Sequence, residues 1–325
     1  MTLDRTFSTA PMMDWSDRHC RYMWRLLSKN TLLYTEMVTS AAICHAPNID
    51  RFLDYSDQEH PIALQVGGSQ INELVTATQC ANRWGYDEIN LNVGCPSDRV
   101  QQGMIGAVLM GHAPLVADVF KAMSDVANMP VTIKHRIGID DKDDYGYTQD
   151  FVSTLYNAGC RVFIVHARSA ILNGLSPKEN REIPPLKYES VYQLKRDFPD
   201  AEIVINGGIK TLGESQEHLR HVDGVMIGRE AYQNPMILSQ VDRELFGGNT
   251  DYESAVDLLH DLVPYIDNVV AHSGQAKFVL RHCLGLIQGV PGARGFRRHL
   301  SENMHKPDTT SDLLLEAISS HLTTA

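Results

Sequence analysis

Short apolar runs rich in β-branched residues recur at 7–12, 33–38, 61–66, 88–93, 131–136, 162–166, 202–206 and 224–227, and this spacing constrains the fold more than any other feature of the chain. Each run has the length of a strand and is too short for a buried helix. Between them lie stretches with helical periodicity at 17–28, 71–84, 114–128, 148–158, 188–197 and 212–221. Strands that alternate with helices pair in parallel, because each helix carries the chain back to the starting edge. Eight such strands predict a (β/α)8 TIM barrel of the α/β class. An open doubly wound sheet is the competing arrangement. It normally carries a glycine-rich fingerprint after its first strand, where this chain has Ala10-Pro11-Met12-Met13.

The pattern changes after Phe246. Gly247-Gly248-Asn249-Thr250-Asp251 reads as a linker. Beyond it, 252–272, 275–288, 292–304 and 311–322 are all helical in period. The expected organisation is a barrel domain over 1–246 and a small all-helical C-terminal domain over 251–325. No apolar run approaches the length of a membrane span. Met1-Thr2-Leu3-Asp4-Arg5 has no basic stretch leading into an apolar one. We expect a cytoplasmic monomer with no membrane association and no required protein partner. Six cysteines, at 20, 44, 80, 95, 160 and 283, form no CxxC pair and suggest neither a disulfide frame nor a zinc site. The acidic run Asp140-Asp141-Lys142-Asp143-Asp144 lacks histidines in a ligating pattern and reads as a solvated loop. No metal is expected.

In a parallel barrel the C-terminal strand ends share one mouth, and chemistry is carried there. The fourth strand ends in Asn90-Leu91-Asn92-Val93-Gly94-Cys95-Pro96. Glycine permits an unusual backbone and proline stops the strand, so a thiol is held in a turn at a strand end. The other strand ends bring Pro11-Met12-Met13, Gln65, Lys134-His135-Arg136, His166-Ala167-Arg168, Asn206-Gly207-Gly208 and Gly228-Arg229. The loops after strands seven and eight often hold phosphate, and glycines let backbone N–H groups approach an anion. A lysine at an interior strand end, Lys134, is costly to bury unless it meets a negative group. A reduced flavin satisfies it; so does a carboxylate such as Glu36. Gln65, Lys134 and His166 can donate to a polar ring over the apolar Pro11, Met12 and Met13. FMN, an aromatic cofactor with a phosphate, fits this set. Cys95 remains open between a buried structural thiol, a nucleophile and a general acid. The unperturbed thiol pKa, about 8.5, suits the last of these, and no Cys–His signature supports the second.

The formal charge of −11 argues against nucleic-acid binding if it is spread evenly. It is not. Across 277–306 the cations are Lys277, Arg281, Arg294, Arg297, Arg298 and Lys306, and the only acid is Glu302. Lys178, Arg181 and Lys187 form a second cluster after the sixth strand. A local basic surface of this kind holds phosphates despite an acidic average.

The motif that runs from Asn90 through Cys95 to Ser97-Asp98-Arg99-Val100-Gln101 resembles the signature of the tRNA-dihydrouridine synthases. Ser176-Pro177-Lys178-Glu179-Asn180-Arg181-Glu182-Ile183-Pro184-Pro185-Leu186 resembles the mark of their subfamily A, which acts on D-loop uridines 20 and 20a. Tyr34-Thr35-Glu36-Met37, Ile205-Asn206-Gly207-Gly208-Ile209 and Gly289-Val290-Pro291-Gly292-Ala293-Arg294 are similar to further family motifs, and the resemblance covers about 7–306. It implies an FMN-bearing barrel followed by a helical tRNA-binding domain, with NADPH as reductant. FMN contacts then fall on Pro11, Met12, Met13, Gln65, Lys134, His166, Asn206, Gly207, Gly208, Gly228 and Arg229. Hydride passes from FMN to uracil C6, and Cys95 gives a proton to C5. Asn92 faces the substrate uridine, and Lys178, Asn180, Arg181, Arg294, Arg297 and Arg298 meet the tRNA. The chain departs from the pattern at Val108, where a second cysteine is expected, and at His135, where threonine or methionine is commoner. Neither position has an assigned catalytic role. A small-molecule flavin dehydrogenase of the dihydroorotate type shares the barrel and FMN site but leaves the basic C-terminal stretch unexplained. A catalytically silent RNA-binding module leaves Cys95 and the cofactor lining unexplained.

Overall fold

The structure, a computed structural model, describes residues 3–97 and 103–322. Asp98, Arg99, Val100 and Gln101, which end the cysteine motif, lie outside the described residues. The strands are β1 (Phe7–Thr9), β2 (Leu33–Thr39), β3 (Ile62–Gly67), β4 (Glu88–Val93), β5 (Val131–Arg136), β6 (Val162–His166), β7 (Glu202–Asn206) and β8 (Gly224–Ile227). They form one eight-stranded sheet in the order β1-β8-β7-β6-β5-β4-β3-β2, parallel at every ladder. The ring closes where Thr9 N donates to Leu32 O at 3.0 Å and Leu32 N donates to Phe7 O at 3.1 Å. This is the expected TIM barrel. β1 stops at Thr9 rather than at residue 12, because Pro11 has no N–H to offer a ladder.

Helices between the strands follow from the same periodicity: Ile71–Trp84, Ala113–Ser124, Tyr145–Asn157, Tyr188–Asp197 and Leu212–His218. Their ends obey local rules. Thr211 and Glu214 form a capping box, and Gly85 takes a left-handed backbone after Trp84. The alternation on β4 has a less obvious sense. Ile89, Leu91 and Val93 are buried, while Glu88, Asn90 and Asn92 reach across to Tyr34, Gln65 and Thr132 on neighbouring strands. The polar side of β4 therefore faces the barrel interior. The apolar side faces the helical layer, where a continuous hydrophobic contact is needed.

The chain divides into two compact units, and the division does not fall at residue 246. One unit holds the residues up to Asp14 with Leu32–Gly228; the other holds Trp15–Thr31 with the residues from Arg229 onward. Specific bonds explain the grouping of the second unit. Asp17 caps helix Arg18–Leu27 and its carboxylate lies 3.0 Å from His282 Nε2. Trp24 Nε1 donates to Ala231 O at 2.9 Å, and Asp242 accepts from Ser28 Oγ at 2.5 Å and Lys29 N at 2.6 Å. Trp15 stacks on Tyr232 with centroids 4.4 Å apart. The helical period expected over 252–272 breaks at Leu262 into Ala255–Asp261 and Val263–Ala271. Pro264 cannot donate to the preceding turn. Lys277–Cys283, Ala293–Asn303 and Asp312–His321 complete this unit. Among the described residues no helix is long and apolar enough to cross a membrane, and no cluster of side chains suits a metal.

Candidate active site

The turn after β4 is held by its own sequence. Asn92 Oδ1 accepts from Gly94 N at 3.1 Å and Cys95 N at 3.0 Å. Cys95 O accepts from Ala107 N at 2.8 Å. Gly106 makes that approach possible: its φ is +80°, and a Cβ there would lie 2.4 Å from Cys95 O. The thiol is half-buried and free of disulfide. Asn92 was expected to face the uridine. Its oxygen is instead engaged by the turn, and its Nδ2 donates to Gln65 Oε1 at 2.8 Å. One Nδ2 hydrogen remains without a partner among the described residues.

Beside this turn, β5 to β7 supply the cationic side of the mouth. Lys134 Nζ donates to Asn206 Oδ1 at 3.1 Å. No carboxylate pairs with it among the described residues, so Glu36 is not its counter-ion; Glu36 Oε1 accepts from Asp14 N at 2.5 Å. Burial, and then the charge of Arg136, pushes the Lys134 ammonium down to about 7. Burial, followed by the charges of Arg136 and Lys134, holds His166 well below its ordinary value, so its imidazole is neutral. Asn206 Nδ2 donates to Met226 O at 2.8 Å, which orients its oxygen toward Lys134. Gly207 and Gly208 have φ of +124° and +73°. A Cβ on Gly207 would lie 2.8 Å from His166 Cδ2, and one on Gly208 2.7 Å from Leu186 Cδ1. Both positions need glycine so that the imidazole and the loop can lie against the turn.

Arg136 is the residue that sequence reasoning left without a role. It is buried, with Nε donating to Gly94 O at 2.9 Å and Nη1 donating to Ser169 O at 2.9 Å and Asn180 O at 3.0 Å. It ties the cysteine turn to the loop after β6. Burial lowers its pKa to about 10, which leaves it charged at neutral pH. Asn180 was expected to meet tRNA. It is 0% exposed, and its amide bonds Ile171 N at 2.8 Å, Ile171 O at 2.9 Å and Leu175 O at 3.1 Å. It shapes the loop, where Lys178 and Arg181 are exposed cations beside the exposed acids Glu179 and Glu182. His135 points into the helical layer between Phe151 and Phe163, with Nδ1 2.6 Å from Arg136 O. Burial lowers it to about 4. It lines no part of the mouth, consistent with its departure from the family pattern.

A flavin fits these residues. Lys134 has N–H capacity beyond its bond to Asn206, neutral His166 has no hydrogen-bond partner among the described residues, and two glycine turns lie at the ends of β7 and β8. Gln65 is buried at 1% exposure with its amide already oriented. Met12 packs against the apolar cluster of Ala10, Tyr34, Ile164 and Met226, and Met13 is 59% exposed. Gly228 follows β8, and Arg229 opens helix Arg229–Gln233 of the other unit. In the second unit Arg294 and Arg298 are exposed one turn apart on Ala293–Asn303, while Arg297 is half-buried and donates to Ile287 O at 2.7 Å. The turn-holding Gly106 and the inward acid Glu88 were also not singled out. Only the polar alternation of Glu88, Asn90 and Asn92 hinted at the latter.

Solved structures with a similar fold include the old yellow enzyme of Trypanosoma cruzi (11% identical, 74% of this chain and 88% of that one, TM-score 0.52) and its homologue from Zymomonas mobilis (12% identical, 76% and 91%, TM-score 0.52). At such identities they bear on the fold alone. Curated relatives are far nearer. The chain is 58% identical over 313 residues to a tRNA-dihydrouridine(20/20a) synthase of Escherichia coli K12, covering 96% of this chain and 90% of that one. It is 54% identical over 319 residues to the Vibrio vulnificus protein of the same name, covering 98% and 97%. The family model described as dihydrouridine synthase matches residues 8–323. With a match over almost its whole length and relatives at this identity, the chain belongs to the dihydrouridine synthase family, a family of flavin-dependent oxidoreductases.

Proposed function

We propose that this member of the family, which acts on tRNA, reduces the D-loop uridines 20 and 20a to 5,6-dihydrouridine, with FMN as cofactor and NADPH as reductant. The observation that carries the reading is the thiol of Cys95, fixed by Asn92 and Ala107 at the mouth end of β4. Pro11, Met12, Met13, Gln65, Lys134, His166, Asn206, Gly207, Gly208, Gly228 and Arg229 would hold FMN, which when bound would supply hydride chemistry toward uracil C6, with NADPH as the source of the electrons. Cys95 Sγ gives the proton to C5. The remaining Nδ2 hydrogen of Asn92 is available to a carbonyl of the extruded base. Extrusion itself costs a few kcal/mol, recovered in contacts to the base and backbone. Lys178 and Arg181 on the barrel unit, and Arg294 and Arg298 on the helical unit, meet phosphates; Arg297 braces its helix and reaches the tRNA second. The enzyme works as a monomer in the cytoplasm, where its substrate is.

A chromosomal deletion tests this. Mass spectrometry of tRNA from the deleted strain should find uridine at 20 and 20a and dihydrouridine retained elsewhere. Complementation with the wild-type gene restores both positions. An Arg294→Glu/Arg298→Glu variant should bind tRNA ten- to a hundredfold more weakly, with a shallower salt dependence, as expected for removal of two phosphate contacts. Flavin content should be unchanged. Dihydrouridine intact at 20 and 20a in the deleted strain would overturn the assignment.

The lysine sets a pH signature. Lys134 at about 7 is largely uncharged above that pH, whereas an anionic ligand favours the ammonium form. Binding at pH 8 therefore takes up about one proton, and affinity falls as pH rises through 7 toward the raised pKa of the complex. Below pH 7 the lysine is already charged, and its contribution to the pH dependence vanishes. Calorimetric titration of flavin-free protein with FMN, in two buffers of different ionisation heat, reads the proton count. Lys134→Met should abolish that uptake; an unchanged count would assign it elsewhere.

A further inference from the structure

A continuous chain of hydrogen bonds runs through the barrel interior from the cysteine turn to a buried carboxylate. Asn92 Oδ1 accepts from Cys95 N, and Asn92 Nδ2 donates to Gln65 Oε1 at 2.8 Å. Gln65 Nε2 donates to Asn90 Oδ1 at 2.8 Å, and Asn90 Nδ2 donates to Thr132 Oγ1 at 2.8 Å. Thr132 donates to Glu88 Oε1 at 2.6 Å. Tyr34 OH donates to the same oxygen at 2.5 Å, and Arg5 Nε to Oε2 at 2.7 Å. Arg5 also reaches Glu202 at 2.8 Å. Glu88, Asn90, Thr132 and Tyr34 are at most 1% exposed, so the links from Glu88 to Asn90 lie away from solvent.

The direction of this chain is forced at both ends. At one end Glu88 accepts from Arg5 Nε, Tyr34 OH and Thr132 Oγ1. Thr132 has one hydroxyl proton and gives it to Glu88, so toward Asn90 it can only accept. Asn90 must then turn Nδ2 to Thr132 and Oδ1 to Gln65. Gln65 must turn Nε2 to Asn90 and Oε1 to Asn92. Asn92 is left with Oδ1 toward the N–H groups of Gly94 and Cys95. Those backbone N–H groups independently demand an acceptor at that place. Flipping any one amide sets donor against donor and acceptor against acceptor in a dry interior. A barrel interior needs only apolar packing to be stable, so packing alone does not call for such a chain.

We infer that Glu88, acting through Thr132, Asn90, Gln65 and Asn92, is a positioning residue that orients the turn carrying Cys95. The inference rests on the reading of Cys95 as proton donor. Thr132→Val removes the one hydroxyl that sets the direction while conserving shape. Thr132→Ser keeps the hydroxyl. The direct readout is alkylation of the purified, flavin-loaded protein by iodoacetamide, followed cysteine by cysteine in peptide mass spectra. Dihydrouridine formation and flavin content are measured alongside.

Thr132→Val should raise the alkylation rate of Cys95 about tenfold and lower product formation by at least as much, the scale of one lost buried hydrogen bond. The buried Cys80 and Cys160 should stay unreactive. Thr132→Ser should restore both rates. Unchanged Cys95 alkylation in Thr132→Val would overturn the inference, and so would reactivity rising equally at Cys80 and Cys160, which marks general loosening. Should Thr132→Val fail to fold, Asn90→Leu cuts the next link and is read in the same way. Product formation by Cys95→Ala at the normal rate would instead sink the proton-donor reading, while the alkylation series still decides the positioning.

Discussion

Replacing Cys95 with alanine will leave the protein flavin-loaded and able to oxidise NADPH, while dihydrouridine formation falls by about 10²–10⁴-fold, the range for a positioned general acid. The split between the two half-reactions follows from the structure. The Cys95 side chain makes no hydrogen bond to Gln65, Lys134, His166 or Asn206; the turn is held by backbone groups of residues 94, 95 and 107. Alanine keeps those bonds, so the cofactor site should keep its shape and hydride transfer from NADPH should continue. On the proposed role of Cys95, what disappears is the proton for C5. Rapid mixing of the reduced variant with unmodified tRNA reads the second half-reaction directly. Reoxidation at the wild-type rate, with dihydrouridine formed, would show that the proton comes from elsewhere.

Gly106→Ala will cost the enzyme about a hundredfold in product formation, the scale of a misplacement near one ångström at a reacting group. Two effects coincide at this residue. Its φ of +80° is strained for any side chain, and the new Cβ would lie 2.4 Å from Cys95 O and 3.0 Å from Cys95 Cβ. The obstructing atoms are the Cys95 backbone and the root of its side chain, so relief requires the cysteine turn to move. The strain is of the order of 1–3 kcal/mol, enough to lower the melting temperature by several degrees without unfolding a protein of this size. Flavin content should change little. A variant with wild-type turnover would mean that the turn has more freedom than the Ala107 N–H to Cys95 O bond implies.

The barrel was legible in the chain because its signals are local and repeated. Strands β4 to β8 stand where short apolar runs end at charged or turn residues. Helices Ile71–Trp84 and Tyr188–Asp197 begin and end where periodicity begins and ends. The cysteine turn was legible for a similar reason: Asn92, Gly94 and Pro96 act on Cys95 within a few bonds. The partnership of Lys134 with Asn206 was not, since the two are far apart in sequence and meet only when β5 and β7 flank β6.

The same boundary between local and non-local information runs through the assignments that shifted. Helix Arg18–Leu27 was visible from its period, but its grouping with the second unit depends on Asp17 meeting His282 and Trp24 meeting Ala231. Asn180 lies in a motif that reads as tRNA-facing, yet neighbouring Lys178 and Arg181 take the surface while its amide closes the loop. By itself the sequence determined the strand and helix periods, the thiol held at a strand end and the clustering of cations at 277–306, because each depends on residues close along the chain. Only the tertiary structure decided which face of β4 looks inward, which buried charges meet, and how Glu88, Thr132, Asn90, Gln65 and Asn92 come to point one way toward Cys95. A period of two specifies that successive side chains oppose each other, but the sheet must close before one side becomes the inside.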